Sequence, residues 1–83
     1  MKKFIRVTAN AIREGRRSDL PPSLSCPVQR GIRRVFRWHR VRVDSHWCYI
    51  DGIRVELPKT ALIFINRFDR GLSVRPFSFL LSF

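Results

Sequence analysis

Arginines dominate one short stretch of this 83-residue chain. Positions 30–42 read RGIRRVFRWHRVR, which contains six arginines and no acid, and no Asp or Glu occurs from position 20 to position 43. The planar guanidinium fork of arginine binds phosphate oxygens in pairs, and clustered positive charges repel one another unless an anion lies against them. The chemistry that this stretch indicates is the binding of phosphates or of another dense anionic surface.

The charge of the whole chain is skewed in the same direction. It has 17 Lys and Arg residues against six acids, a net charge of +11, and 14 of the 17 cations are Arg. Residues 1–43 carry 12 cations and two acids, whereas residues 44–83 carry five cations and four acids. This asymmetry predicts a basic binding half and a nearly neutral packing half. Nucleic acid is the commonest partner for such a profile, and a protein with an acidic surface is the alternative.

Aromatic residues are interleaved with the clustered arginines. An exposed aromatic ring stacks on a nucleic-acid base for roughly 1–3 kcal/mol, so a basic and aromatic surface favours single strands or RNA loops. Alternatively, Phe36 and Trp38 face the core and the arginines line a solvated face. The predicted contacts with nucleic acid or an acidic partner are Arg30, Arg33, Arg34, Arg37, Trp38, Arg40 and Arg42. Among them, Arg33, Arg34 and Arg37 are the strongest candidates.

Signals for metal binding and catalysis are weak. Structural zinc sites present their ligands in close pairs, and the His46–Cys48 spacing is too tight for the usual arrangement. We predict no metal and no cofactor, with Cys26 and Cys48 as free thiols. His39, Asp44 and His46 lie close in sequence, but the six acids are scattered singly and no phosphate-binding loop or nucleophile motif occurs. We therefore predict a protein that is not an enzyme and has no small-molecule substrate.

The first half of the chain contains two predicted elements and a connector. Apolar residues at helical spacing predict an N-terminal helix over positions 2–14, which Gly15 would end. Positions 15–29 contain three prolines and several serines, which is typical of an extended connector. The arginine-rich stretch follows helical spacing at first and then alternates with valines. It predicts a short helix from near Val28 that gives way to a strand by about Trp38.

The second half predicts a small sheet and a second helix. Asp51-Gly52 between two alternating segments is typical of a type I′ hairpin, and a further strand near Val41 would complete a three-stranded antiparallel meander. Positions 60–70 predict a helix that covers the sheet, with Gly71 as its C-terminal cap, although positions 62–65 also fit a buried strand. Together these elements predict one small α+β domain that spans residues 1–83.

The hydrophobic stretch at positions 72–83 has two interpretations. It closes the core of the protein as a last strand, or it is exposed and adds to the surface of a partner. The predicted hydrophobic contacts with a protein partner are Trp47, Phe77, Phe79 and Phe83.

Two functions fit these observations. The first is a non-catalytic accessory protein that binds nucleic acid or a nucleoprotein surface through residues 30–42. The second is an interaction protein that modulates or inhibits a nucleic-acid-processing enzyme or a defence complex of a host. In size and charge skew the chain resembles small accessory proteins of bacteriophages, which implies the second. The N-terminal basic residues are followed by no apolar run, and no stretch approaches ~20 apolar residues, so we expect a cytoplasmic protein without a membrane partner.

Overall fold

In the part of the chain that the structure describes, three helices and two antiparallel sheets form an α+β fold. A computed structural model describes residues 2–17, 26–44 and 46–83. Its elements are β1 (Lys2–Val7), α1 (Ala9–Arg17), α2 (Pro27–Val35), β2 (Val41–Val43), β3 (Trp47–Ile50), β4 (Ile53–Glu56), α3 (Lys59–Asp69) and β5 (Phe77–Ser82). One sheet pairs β1 with β5, and the other has the order β2-β3-β4. The predicted fold class and meander are confirmed. Within the described residues, no helix is long and apolar enough to cross a membrane.

The N-terminal segment differs from the sequence-based expectation. The prediction of helix is wrong for residues 2–7, which form β1, and α1 begins at Ala9. The hydroxyl oxygen of Thr8 accepts a hydrogen bond from the Ala11 N–H at 3.1 Å, which caps the start of α1. The strand forms because β1 pairs with β5 from Lys2–Ser82 to Val7–Phe77. Its partner is distant in sequence, so the local spacing of apolar residues gives no sign of this pairing.

The extended connector predicted at positions 15–29 is wrong at both of its ends, which are helical. Residues 15–17 belong to α1 and residues 27–29 belong to α2, while residues 18–25 lie outside the described part of the chain. Pro27 lies in the first turn of α2, where its fixed φ and missing N–H are tolerated. The helix predicted near Val28 is therefore confirmed. The following strand begins at Val41 and not near Trp38, because a turn separates α2 from β2.

The hairpin and the third helix follow their sequence signals. Asp51 and Gly52 have φ angles of 53° and 81°, the left-handed pair that a type I′ turn requires. Helix α3 is followed by Gly71 with φ 74°, as expected for a C-terminal glycine cap. The last strand packs in the core, and Phe79 is 5% exposed. Its ring therefore lies against the protein's own interior, and the contact of Phe79 with a partner stays a prediction.

Helix α2 joins the two sheets. A Cβ atom at Gly31 would lie 2.8 Å from the carbonyl oxygen of Arg6 and 3.2 Å from Cγ2 of Ile5, so α2 crosses β1 almost in backbone contact. On the other side, the buried Gln29 accepts a hydrogen bond from the Val43 N–H of β2 at 3.0 Å through its Oε1. Because Ile32 of the same helix is fully buried, the opposite face of α2 must point outward.

Replacing Gly31 with alanine is expected to destabilise the protein by about 1–3 kcal/mol, although alanine is the better helix former. The added methyl group would meet a main-chain carbonyl of β1, which cannot move without separating the helix from the sheet. Denaturant unfolding measures the change. Asn66→Ala, at an exposed position of α3, is the control and should leave stability equal or slightly raised. A Gly31→Ala protein as stable as the wild type would contradict the close approach.

Candidate nucleic-acid interface

A cleft of about 620 Å³ opens beside α2, where α1, α2 and the end of β1 meet. Five arginines from β1, α2 and the turn that follows α2 line it. They are Arg6, Arg30, Arg33, Arg34 and Arg37. Among the described residues that line the cleft, Glu14 is the single acid. Its positive charges therefore outnumber its negative ones by a wide margin, and the neutral side chains of Thr8 and Asn10 add polar groups at one wall.

The packing of α2 decides which side chains face the cleft. Val28 and Ile32 are fully buried, so Arg33 and Arg34 are held on the exposed side of the helix. Phe36, which follows the last residue of α2, is buried, whereas its neighbour Val35 is exposed.

Arg6 is the cleft residue that the sequence did not reveal. The helix predicted over positions 2–14 gave no reason to place Arg6 beside the clustered arginines. In β1 it lies between the buried Ile5 and Val7, and its carbonyl is the atom that Gly31 approaches. The alternation of apolar and polar residues at positions 5–7 was the signal for a strand. Contact between β1 and α2 then brings Arg6 beside the arginines of the helix.

One of the five arginines is neutralised by an acid. Arg30 Nη1 is hydrogen-bonded to Glu14 Oε2, which ties α2 to α1, and Asn10 Nδ2 donates to the other carboxylate oxygen of Glu14 at 3.3 Å. The second ion pair in the described residues joins His39 and Asp51. In the part of the chain that the structure describes, Arg33, Arg34, Arg37 and Arg6 thus pair with no acid. They carry the net charge of the cleft.

The turn between α2 and β2 is held by Asp51 of the hairpin. Its Oδ1 accepts a hydrogen bond from the Arg40 N–H at 2.9 Å, and its Oδ2 lies 2.5 Å from Nδ1 of His39. The Arg40 carbonyl accepts in return from the Asp51 N–H at 2.8 Å. The side chain of Trp38 projects from this turn and is 94% exposed. The alternative that Trp38 faces the core is therefore wrong.

The other two predicted arginines lie apart from the cleft. Arg40 is exposed next to the turn, and its main chain is paired with Asp51. Arg42 extends over the outer face of the meander, where its guanidinium carbon lies 4.7 Å from the centroid of the Tyr49 ring. The arginine-rich sequence is thus divided between two surfaces, because a strand turns its alternate residues away from the helix that precedes it.

The residues that were predicted to make hydrophobic contacts with a protein partner are also separated from one another. Trp47 is half-buried, with the Arg54 guanidinium carbon 4.2 Å from its ring centroid. Phe77 is half-buried against the Phe64 ring, at a centroid distance of 4.9 Å. Phe83 is 43% exposed and lines a second, largely apolar groove of about 320 Å³ together with Ile53.

Several arginines outside the cleft have structural roles. Arg16 donates to the carbonyl of Phe68 at 2.7 Å and to the carbonyl of Leu72, while its guanidinium carbon lies 4.1 Å from the Phe68 ring centroid. Arg67 donates twice to the carbonyl of Ser73, at 3.2 and 3.0 Å. These side chains satisfy carbonyl groups near the end of α3, where positive charge is favourable.

The two thiols lie away from the cleft. Cys26 and Cys48 are both free and buried. Burial raises the pKa of Cys26 above its ordinary value and raises the pKa of Cys48 to about 11. A protonated thiol is a poor metal ligand and a poor nucleophile. Among the described residues, no group of three or more His, Cys, Asp and Glu side chains is placed to hold a metal ion.

Comparison of this chain with protein families, with curated proteins and with solved structures found no match. The geometry and charge of the cleft are therefore what point to a function.

Acidic pH is expected to weaken the turn that carries Trp38. The hydrogen bond from His39 and the bond from the Arg40 N–H lower the pKa of Asp51 below its ordinary 3.8. The N–H groups of His46 and Trp47 lower the pKa of Asp44 in the same way. A carboxylate with a lower pKa in the folded state stabilises that state above its unfolded pKa, and the contribution is lost as the pH falls through the folded pKa. The free energy of unfolding should therefore decrease below about pH 4.

The Asp51→Asn variant isolates the contribution of this carboxylate. Asparagine tolerates the φ of 53° and keeps an oxygen for the Arg40 N–H, but it does not titrate. Thermal unfolding followed by circular dichroism between about pH 5 and pH 2 should show a shallower loss of stability in the variant than in the wild type. Identical slopes in the two proteins would show that Asp51 is not stabilised as a carboxylate.

Proposed function

We propose that this protein binds nucleic acid, free or within a nucleoprotein, through the arginine-lined cleft and acts as a non-catalytic accessory protein. The observation that carries the proposal is the convergence of Arg6, Arg33, Arg34 and Arg37 without an acid partner among the described residues. A folded protein leaves such a cluster uncompensated at a cost in self-repulsion, and a phosphodiester backbone supplies the matching charge along a line.

The chemistry of the side chains suits phosphate groups. Guanidinium groups on β1, α2 and the following turn approach the cleft from different directions. Each offers a planar pair of donors that fits two oxygens of one phosphate. The cleft volume of about 620 Å³ lies within the range of pockets that hold small molecules, and so it has room for part of a nucleotide chain.

A cytoplasmic setting is part of this proposal. It is supported by the composition of the chain and by two free, buried thiols that form no disulfide.

The binding energy should come mainly from release of counterions. For each phosphate that is neutralised, the logarithm of the affinity falls with the logarithm of salt concentration by about 0.9 for duplex DNA and about 0.7 for single strands. Four unpaired arginines in the cleft thus correspond to a slope of about −3 to −4. A weak salt dependence would indicate that nucleic acid is not the partner.

Replacing Arg33, Arg34 and Arg37 together with glutamine is expected to weaken binding to an oligonucleotide by about 10- to 100-fold and to reduce the salt slope by about 2 to 3. Glutamine has a similar helix propensity, so α2 should be retained. Fluorescence anisotropy of a labelled oligonucleotide at several salt concentrations measures both quantities.

The matched control is a variant with glutamine at Lys59, Arg70 and Arg75, which loses the same three charges from exposed positions in the less basic half. Its affinity should stay within about threefold of the wild type. If both variants lose affinity equally, net charge drives the interaction and the cleft is not the binding site.

A second candidate function is the binding of a protein partner at the apolar groove. Ile53 is 69% exposed and lines this groove with Phe83, next to the turn that borders the arginine cleft. A large apolar side chain that is left in water beside a groove marks a surface suited to another protein. This reading corresponds to an interaction protein that modulates an enzyme acting on nucleic acid, with the arginines facing the enzyme's own substrate or an acidic surface.

The second function predicts that Ile53→Ser abolishes capture of a specific protein from nuclease-treated host extract. Leu80→Ser removes a side chain of comparable exposure from the other sheet and should leave the capture intact. Loss of the captured protein in both variants, or in neither, would contradict a partner site at the groove.

A further inference from the structure

Trp38 is the most exposed large apolar side chain in the described part of the chain, at 94% of its surface. An indole left in water contributes nothing to the core, and tryptophan is usually buried over most of its area. Its neighbours in sequence, Arg37 and His39, both line the arginine cleft. The ring is therefore presented at the border of the arginine cleft.

The main chain on both sides of Trp38 is fixed, so the exposure is a property of the fold. The Phe36 N–H donates to the Ile32 carbonyl at 3.0 Å, and the His39 N–H donates to the Phe36 carbonyl at 3.1 Å. The Phe36 ring makes edge contacts with the rings of His39 and Phe83, at centroid distances of 5.8 and 5.0 Å. These contacts anchor the turn to the core before and after the indole, while Trp38 itself stays in solvent.

An exposed aromatic ring on an anchored turn, beside an arginine-lined cleft, is an arrangement suited to single-stranded nucleic acids. Their bases are free to stack on a side chain, whereas the bases of a duplex are already stacked and paired with each other. Stacking on a ring is insensitive to base identity, because every base has a π face. The neighbouring cleft supplies guanidinium donors for the phosphate backbone that links the bases.

We propose that Trp38 and the arginine cleft form one site for single-stranded nucleic acid, in which Arg33, Arg34 and Arg37 hold phosphates and Trp38 stacks on a base. The inference rests on the proposed nucleic-acid-binding function and specifies its substrate class. DNA and RNA share the chemistry that this site recognises, namely a phosphodiester chain with unpaired bases.

Affinity measurements on Trp38→Ala test the proposal directly. The variant should lose about 5- to 100-fold in affinity for oligo(dT) or oligo(U) of about 12 nucleotides, and its affinity for a duplex of the same length should change less than about threefold. Trp38→Phe should recover part of the loss, because a phenyl ring still stacks. Since the indole is in solvent, the midpoint of thermal unfolding should be unchanged in both variants.

Fluorescence gives a second readout of the same contact. The chain has two tryptophans, so Trp47→Phe leaves Trp38 as the single indole. Titration of this variant with oligo(dT) and oligo(U) should quench its emission as a base stacks on the ring, and the duplex should quench it far less. The strand that saturates the signal at lower concentration identifies which sugar is preferred.

The outcomes separate this inference from the function on which it rests. If Trp38→Ala binds single strands as tightly as the wild type, or if saturating oligonucleotide leaves the indole emission unchanged, the stacking site is refuted. Arginine-dependent binding of duplex and single strand with equal affinity would leave the nucleic-acid function standing and refute this inference alone. Failure of the wild-type protein to bind any of the three oligonucleotides at low salt would refute both.

Discussion

Helix α2 packs directly against β1 at Gly31, and this contact fixes the position of the helix that touches both sheets. The helix lies so close to the strand that a single methyl group would be 2.8 Å from the Arg6 carbonyl. From this position α2 buries Ile32 in the core and reaches the second sheet through the hydrogen bond between Gln29 and Val43. The two sheets are thus joined through one short helix, whose free face is the arginine face of the cleft.

Charge is the second constraint, since a chain with a net charge of +11 must limit repulsion in order to fold. Some of the positively charged side chains make contacts within the protein. Arg16 and Arg67 donate to carbonyls near the end of α3, Arg30 pairs with Glu14, and Arg54 lies over an aromatic ring. Four of the arginines without such a role, Arg6, Arg33, Arg34 and Arg37, line one cleft. An anion bound there would relieve their mutual repulsion and would stabilise the folded state by linkage.

The hairpin connects this charged surface to the neutral half of the molecule. Asp51 adopts the left-handed conformation that its turn requires, and its carboxylate at the same time binds the turn between α2 and β2. A residue that the turn geometry already favours therefore also anchors the main chain beside Trp38. The residues on either side of the exposed indole, Arg37 and His39, line the cleft.

Local sequence signals predicted the features that depend on neighbouring residues. The hairpin at Asp51-Gly52, the glycine that ends α3 and the helical spacing of Arg30, Arg33 and Arg34 are local signals, and each element forms where those signals lie. The composition also indicated the charge asymmetry, and the pattern of apolar residues and turn signals indicated the α+β class. The sequence therefore predicted the strands of the meander, helices α2 and α3, and the main arginines of the cleft.

Which segments of the chain contact one another depends on tertiary packing and not on local sequence signals. Residues 2–7 carry a pattern compatible with helix, and they become a strand because β5, far along the chain, supplies a hydrogen-bonding partner. That pairing brings Arg6 into the cleft and draws Phe79 into the core. The choice between a buried Phe36 and an exposed Trp38 likewise depends on how α2 lies on β1. Long-range packing determines these features, because local periodicity carries no information about a partner that is distant in sequence.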